Sequence, residues 1–251
     1  DEQKSKYLPL IASGEITTAV AFDESSHHDI SLTELSAVET EGNFVLNGSK
    51  KLVIDGSSAD VLIVLGRTSG SKGEMAGLSL FILESHADGI SRVKLDMADS
   101  RNYANIEFND VVVSSDALLG SQEAGGEAMD HILDIGRIAI SAEMLGNSEA
   151  AFSTTIDYLK ERKQFGVLIG TFQALQHRAA EMFCEIELTK SSVMAAMQGA
   201  DENSNQLQVL ASLAKSISGD TLHLVSNEAI QMHGGIGVTD EYDLGFFLKR
   251  A

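Results

Sequence analysis

A chain of 251 residues with 43% hydrophobic and 22% charged residues can bury a sizeable core, as one large domain or two ordinary ones, which excludes wholesale disorder. The net charge of -19 is spread evenly, -9 over residues 1–115 and -10 over 116–251, and it repels nucleic acid and anionic membrane surfaces; it reads as a solubility or salt adaptation. No apolar run approaches the roughly 20 residues of a bilayer span, residues 1–15 lack the pattern of a secretory signal, and the single Cys184 excludes an internal disulfide framework, so the cytoplasm is the expected compartment.

The first strand expected is ITTAVAF (16–22). FVL-NG-SKKLVI (44–54) then places Asn47-Gly48 between two strand-like runs, which predicts a hairpin turn at that dipeptide. Asp55-Gly56 marks a further turn. VLIVLGRT (61–68), LSLFILE (78–84), ISRVKLD (90–96) and NIEFNDVVV (105–113) follow at strand length, with a Gly-rich loop at 69–77. Residues 1–115 are thus expected to form a mostly antiparallel, barrel- or sandwich-like β domain.

Beyond residue 118 the period lengthens. Met129, Ile132, Leu133, Ile135, Ala139, Ala142 and Leu145 recur at helical spacing, in a pattern that runs on toward Arg162. Gly166 and Gly170 bracket a break. A second helix is expected over Gln173 to Gln198, with Leu175, Ala179, Met182, Phe183 and Ile186 on one face, and a third over Leu207 to Met232. His233-Gly234-Gly235-Ile236-Gly237 reads as a helix stop, and Thr239 as the cap of a fourth helix cut off at Ala251. The fold class expected is α+β: an antiparallel β-barrel-like domain (1–117) followed by an up-down four-helix bundle (118–251). The single proline, Pro9, favours long uninterrupted elements.

General motif searches yield little. Neither a phosphate-binding P-loop, nor G-x-G-x-x-G, nor G-x-S-x-G occurs. His27, His28 and Glu24 have the chemistry of metal ligands, but adjacent histidines in an exposed turn are more often incidental. His233-Gly234-Gly235 imitates an oxyanion loop without a nucleophile motif to serve. Cys184, beside Phe183 and Ile186, reads as a core residue.

Two stretches carry more. Arg162-Lys163-Gln164-Phe165-Gly166, then Ile169, Phe172-Gln173 and Gln176, is followed at the right separation by Gln231-Met232-His233-Gly234-Gly235-Ile236-Gly237, Thr239 and Glu241. With YLPLIASGE (7–15), LNGSK (46–50), Ala59-Asp60 and Leu118-Leu119-Gly120, these motifs resemble the acyl-CoA dehydrogenase family over essentially the whole chain. In detail the likeness is to the small-subunit type of heteromeric members, such as pimeloyl-CoA dehydrogenase small subunits. The resemblance implies a middle β domain and a C-terminal helical domain, with the family's N-terminal helical domain absent, so that the chain reads as a fragment.

The resemblance also implies FAD-dependent oxidation of an acyl-CoA thioester to the 2-enoyl-CoA, in fatty acid metabolism, within a homo- or hetero-oligomer that passes electrons to electron-transfer flavoprotein. Arg162 would reach the FAD pyrophosphate across a subunit interface, since a guanidinium offers paired donors to phosphate oxygens. Phe165 would pack on the cofactor and Gln173 would hydrogen-bond it. Gln231, Gly234 and Gly235 would line its adenosine end. The alternative residue roles are a helix-end cation for Arg162 and a helix stop for the glycines. Three departures stand out. The family's T-E-P-x-x-G-S-D corresponds to Asp23–Asp29 without its proline or Gly-Ser pair. Its W-I-T/S beside the flavin corresponds to Leu52-Val53-Ile54, so an N5-facing hydroxyl is replaced by Ile54. Gly136, before Arg137, occupies one of the two family positions for the catalytic glutamate, and the other lies beyond Ala251. Glu241 belongs to the turn motif, so no catalytic residue is assigned and the chain alone is expected to be inactive. The alternative function is a non-catalytic partner subunit that completes another chain's FAD site.

Overall fold

A computed structural model describes residues 2–97, 99 and 101–251. The chain divides into two compact units, Asp1–Asp130 and His131–Ala251.

The first unit opens with helix α1 (Glu2–Ser13), which strand reasoning did not anticipate. Its sheet has eight strands among the described residues: β1 (Thr18–Ala21), β2 (Ser36–Thr40), β3 (Asn43–Ile54), β4 (Val61–Arg67), β5 (Leu78–Glu84), β6 (Ile90–Asp96), β7 (Asn102–Ser114) and β8 (Leu118–Leu119). Their order is β6-β7-β3-β2-β4-β5-β8, with β1 paired to β4 off that path. The β1–β4 and β2–β4 pairings are parallel, and the others are antiparallel. The inward residues Leu46, Leu62, Val64, Phe81, Ile106 and Phe108 form one core. Such aliphatic and aromatic alternation suits a pleated, half-buried surface.

Asn47-Gly48 is not a hairpin turn. β3 runs through it, and a register shift between Leu46 and Gly48 marks a bulge. Gly48 has φ 143, and a Cβ there would lie 2.8 Å from the Leu35 Cα. Asn47 donates to the Asp110 carboxylate at 3.0 Å and accepts the Asp110 N–H at 2.9 Å, so the dipeptide serves a cross-strand contact. The turn that precedes β3 is Glu41-Gly42, whose φ angles of 52 and 79 match the two positive values of a tight hairpin turn.

Helix α2 (Gly125–Glu161) begins in the first unit and runs into the second. The second unit continues with a hairpin, β9 (Lys163–Gln164) and β10 (Val167–Leu168), then α3 (Gln173–Asp201), α4 (Leu207–His233), a 3-10 turn (Gly234–Val238) and α5 (Leu244–Arg250). Met182, Ile186, Val225, Ala229 and Met232 anchor one core cluster, and Val193, Ala196, Ala211 and Ala214 another. A buried hydroxyl pair, Thr189 to Thr221 at 2.7 Å, joins α3 to α4.

Three expectations fail here for geometric reasons. Cys184 is exposed: two residues from both Met182 and Ile186, it is rotated about 200° from the buried face at 100° per residue. Phe183 is likewise 52% exposed rather than on the core face. Thr239 does not cap α5, whose N-cap is Asp243; its hydroxyl donates to the Ile236 carbonyl at 2.8 Å and closes the preceding 3-10 turn.

Candidate functional site

In the first unit, Phe22, Asp23 and Glu24 meet β3 at Lys50 and Lys51. The Lys51 N–H donates to the Asp23 carbonyl at 2.7 Å. Lys50 is fully buried, and its Nζ donates to Glu24 Oε1 at 2.7 Å and to the Phe22 carbonyl at 3.0 Å. Glu24 also accepts the N–H groups of Glu34 at 2.7 Å and Leu35 at 2.9 Å. Burial lowers the Lys50 pKa to about 8, against the opposing pull of Glu24. Glu24 is therefore committed to this ion pair and not to a metal. No group of three or more potential metal ligands comes together among the described residues. His28 Nδ1 instead lies 3.1 Å from Asp23 Oδ1, and its ring meets Phe22 edge-on at 5.3 Å. Burial raises the Asp23 pKa, and His28 pulls it back. Leu52, with φ 53 inside a second β3 register shift between Lys50 and Val53, and Ile54 just beyond it are both exposed.

In the second unit, Arg162 follows the last turn of α2, and its N–H bonds to the Tyr158 carbonyl at 2.9 Å. Its side chain is exposed and forms none of the ion pairs found among the described residues. The neighbouring hairpin turns on Phe165-Gly166, with φ 55 and 80. A bulky residue at positive φ is an outlier, and this ring is also 91% exposed, meeting the Phe172 ring edge-on at 6.3 Å between centroids. Gln173 is exposed at the first position of α3, where Phe172 provides no side-chain cap. Arg162 and Phe165 thus lie on the segment joining α2 to α3, and Gln173 opens α3.

Gln231, Gly234 and Gly235 lie at the end of α4. Gly234 has φ 65 and ψ -139, which a side chain would strain, and its N–H bonds back to the Ile230 and Gln231 carbonyls. A Cβ on Gly234 or Gly235 would meet nothing within 4 Å, whereas one on Gly237 would lie 2.8 Å from the Ile230 carbonyl oxygen. Gly237 therefore answers to internal packing and Gly235 does not.

His233, which sequence reading gave no role of its own, is buried. Its Nδ1 lies 2.8 Å from the Ala229 carbonyl oxygen, and its ring stacks on Tyr158 at 4.1 Å and 25°. Tyr158 and His233 are 75 positions apart, a separation that carries no sequence signal. Gly136 is exposed on α2, with nothing within 4 Å of a Cβ.

The sequence model of the family described as "Acyl-CoA dehydrogenase, C-terminal domain" matches residues 123–251. The chain belongs to the acyl-CoA dehydrogenase family. It is similar to an acyl-CoA dehydrogenase of Bacillus subtilis (strain 168), at 33% identity over 258 residues, covering 100% of this chain and 67% of that relative. The solved butyryl-CoA dehydrogenase from Megasphaera elsdenii shares 31% identity at a TM-score of 0.90, with 99% of this chain and 66% of that one covered. A structure described as the FAD complex of PigA gives a TM-score of 0.92 at 27% identity, covering 99% and 65%. Against these relatives the acyl-CoA dehydrogenase-like chain spans about two thirds of the length, down to 61% of an isovaleryl-CoA dehydrogenase of Solanum tuberosum. Among the described residues no helix is long and apolar enough to cross a membrane.

Proposed function

We propose that this chain carries the FAD-holding part of an acyl-CoA dehydrogenase-type subunit, which converts an acyl-CoA thioester to a 2-enoyl-CoA. The observation that carries the reading is the set of exposed groups without an internal use: Arg162 outside the ion pairs found among the described residues, Phe165 91% exposed at positive φ, and Gly235 beside open space. These are residue types suited to a phosphate, a flat ring and a close backbone approach. Family membership and the likeness to a PigA FAD complex support FAD as the group they hold. When bound, FAD supplies the hydride acceptor of the reaction.

This chain's residues would grip and orient: Arg162 at the pyrophosphate, Phe165 and Gln173 along the cofactor, and Gln231, Gly234 and Gly235 at the adenosine end. Gly136 offers no group to take the α proton, and removing so weakly acidic a proton requires a positioned carboxylate in a dry site. The reading therefore takes the base from outside residues 1–251 or from a partner subunit. The proposal extends to a barrel-like sheet over 1–117, an up-down four-helix bundle over 118–251, a cytoplasmic location and electron-transfer flavoprotein as acceptor. It also includes a homo- or hetero-oligomer, supported by exposed Phe183, Leu188, Met194 and Val209. A non-catalytic partner subunit is the second reading, favoured by Ile54 and by the Asp23–His28 pair, which replace the family's flavin-side residues.

Flavin titration of the full-length protein tests the site. Arg162→Ala should weaken FAD binding on the order of ten- to a hundredfold, the loss of a charge-assisted hydrogen bond, without unfolding the helices. Equal affinities would reduce Arg162 to a helix-end cation and overturn the assignment. Anaerobic bleaching of the flavin by a panel of acyl-CoAs then separates the enzyme from the partner subunit.

A further inference from the structure

His233 is 4% exposed and makes one side-chain hydrogen bond, from Nδ1 to the Ala229 carbonyl. A carbonyl only accepts, so the proton sits on Nδ1, and Nε2 of the neutral ring is left as a lone-pair acceptor. Nε2 has no partner among the described residues. The ring lies between two tyrosines: Tyr158 stacked at 4.1 Å and Tyr242 tilted at 5.0 Å. The two tyrosines meet each other edge-on at 6.4 Å, and the Tyr158 hydroxyl donates to the His233 carbonyl at 3.4 Å.

Each member of this cluster is tied to a different strip of backbone. Tyr158 stands one turn before Arg162 and accepts its N–H. His233 immediately precedes Gly234, whose N–H closes back on Gln231 and Ile230. One stacked ring thus joins the end of α2 to the end of α4, the two places where the proposed cofactor groups stand. We infer that His233, as the neutral Nδ1–H tautomer stacked between Tyr158 and Tyr242, is a positioning residue that fixes Arg162 and the Gly234–Gly235 turn relative to each other around a dinucleotide ligand. The inference rests on the proposed FAD site and adds the element that holds it in shape.

A leucine would fill the same volume, so packing alone does not explain an imidazole. A flat ring adds stacking beyond its burial, and Nδ1–H satisfies a carbonyl in the last turn of the helix. The arrangement also has a pH consequence. Protonation would put a second N–H on Nε2, and the titratable groups facing the ring are the Tyr158 and Tyr242 rings, from α2 and from the segment before α5. Among the described residues no carboxylate is its partner. Burial lowers the His233 pKa from 6.5, with the Ala229 carbonyl as the opposing influence. The folded site therefore prefers the neutral ring, and its contribution is lost as pH falls below 6.5 toward that depressed value.

The test measures FAD affinity of the full-length protein by flavin fluorescence between about pH 7.5 and about pH 5, a window that brackets histidine titration. His233→Phe keeps the stack and cannot titrate. It should bind within about threefold of wild type at the upper pH and lose less affinity toward acid. His233→Leu fills the space without stacking and should bind about tenfold more weakly while keeping its helical circular dichroism. A folded His233→Leu with wild-type affinity overturns the inference, as does an acid limb that His233→Phe shares with wild type. Should His233→Leu fail to fold, the His233→Phe profile decides alone. Arg162→Ala serves as the reference: if it also binds FAD normally, the site assignment itself has failed, whereas a weakened Arg162→Ala beside unaffected His233 variants sinks only the positioning role.

Discussion

Lys50→Met removes one half of a buried ion pair that ties three chain segments together. The ammonium holds Glu24 Oε1 at 2.7 Å and the Phe22 carbonyl at 3.0 Å, while Glu24 accepts the N–H groups of Glu34 and Leu35. Burial depresses the Lys50 pKa from 10.5 to about 8. At about 1.4 kcal/mol per pH unit, the charged form bears a net penalty on the order of 3 kcal/mol in the fold. The pair is therefore weak evidence for stability as a whole, yet breaking it from one side is costly. Methionine leaves the Glu24 carboxylate with backbone donors alone and the Phe22 carbonyl bare, for an expected loss of about 3 kcal/mol. Glu24→Gln should cost a similar amount by stranding the ammonium. The double variant should cost less than the sum of the two by about 1–3 kcal/mol. The pH dependence has a definite sign: the folded pKa lies below the unfolded one, so the Lys50 contribution to stability grows as pH rises from about 8 to 10.5. Urea unfolding gives the global cost, and amide exchange at Leu35 and Lys51 reads the local tie. A Lys50→Met protein with the wild-type midpoint and wild-type exchange at those amides refutes the reasoning.

The two ends of the glycine turn should separate packing from binding. Gly237→Ala pushes a methyl to 2.8 Å from the Ile230 carbonyl oxygen and should lower stability by about 1–3 kcal/mol in thermal unfolding. Gly235→Ala meets nothing within 4 Å, so its stability should stay within about 0.5 kcal/mol while FAD affinity drops about tenfold by flavin titration. Phe165→Asn puts a residue tolerant of left-handed backbone at φ 55 and removes an exposed ring, so the chain should gain about 1 kcal/mol in urea unfolding and lose flavin affinity. A variant that loses stability along with affinity would show that the ring is part of the fold.

Much of the architecture was legible because the elements are long and their periods differ. LSLFILE and ISRVKLD are β5 and β6 residue for residue, and the helical spacing of 173–198 and 207–232 falls within α3 and α4. Local chemistry misled where one signature serves two geometries. Asn-Gly suits a tight turn and a bulge equally, and what selects the bulge is remote: the Leu35 backbone against Gly48 and the Asp110 carboxylate opposite Asn47. Thr239 has the chemistry of a helix cap and uses it on the turn before, while Asp243 holds the cap position. A lysine in a strand reads as a surface charge, so the burial of Lys50 could not be seen until Glu24 was found beside it. The His233–Tyr158 stack joins the far ends of two helices, and no periodicity encodes that meeting.

The site rests on residues whose type the fold does not require. Open space at a glycine is not enough by itself, since Gly136 and Gly146 inside α2 also have nothing within 4 Å of a Cβ. Those positions stand inside a helix, where alanine would be about 1 kcal/mol better. The end of α2 and the end of α4 differ because several exceptions coincide there. An arginine outside the ion pairs, a phenylalanine held exposed in a left-handed turn, a glycine at φ 65 and a glycine facing solvent all lie on short segments beside one buried aromatic cluster. Gly234 answers to its own backbone conformation, but a chain left to optimise its stability would remove the others by single substitutions. Their joint presence has a physical explanation if an outside group with phosphate, ring and sugar surfaces supplies the missing contacts, and the positions are the ones the acyl-CoA dehydrogenase likeness assigns to FAD. The resemblance names its six residues by the order of motifs along the chain; the geometry adds that Arg162 and Phe165 are exposed and that Gly235 stands beside open space, with no internal contact that calls for their types.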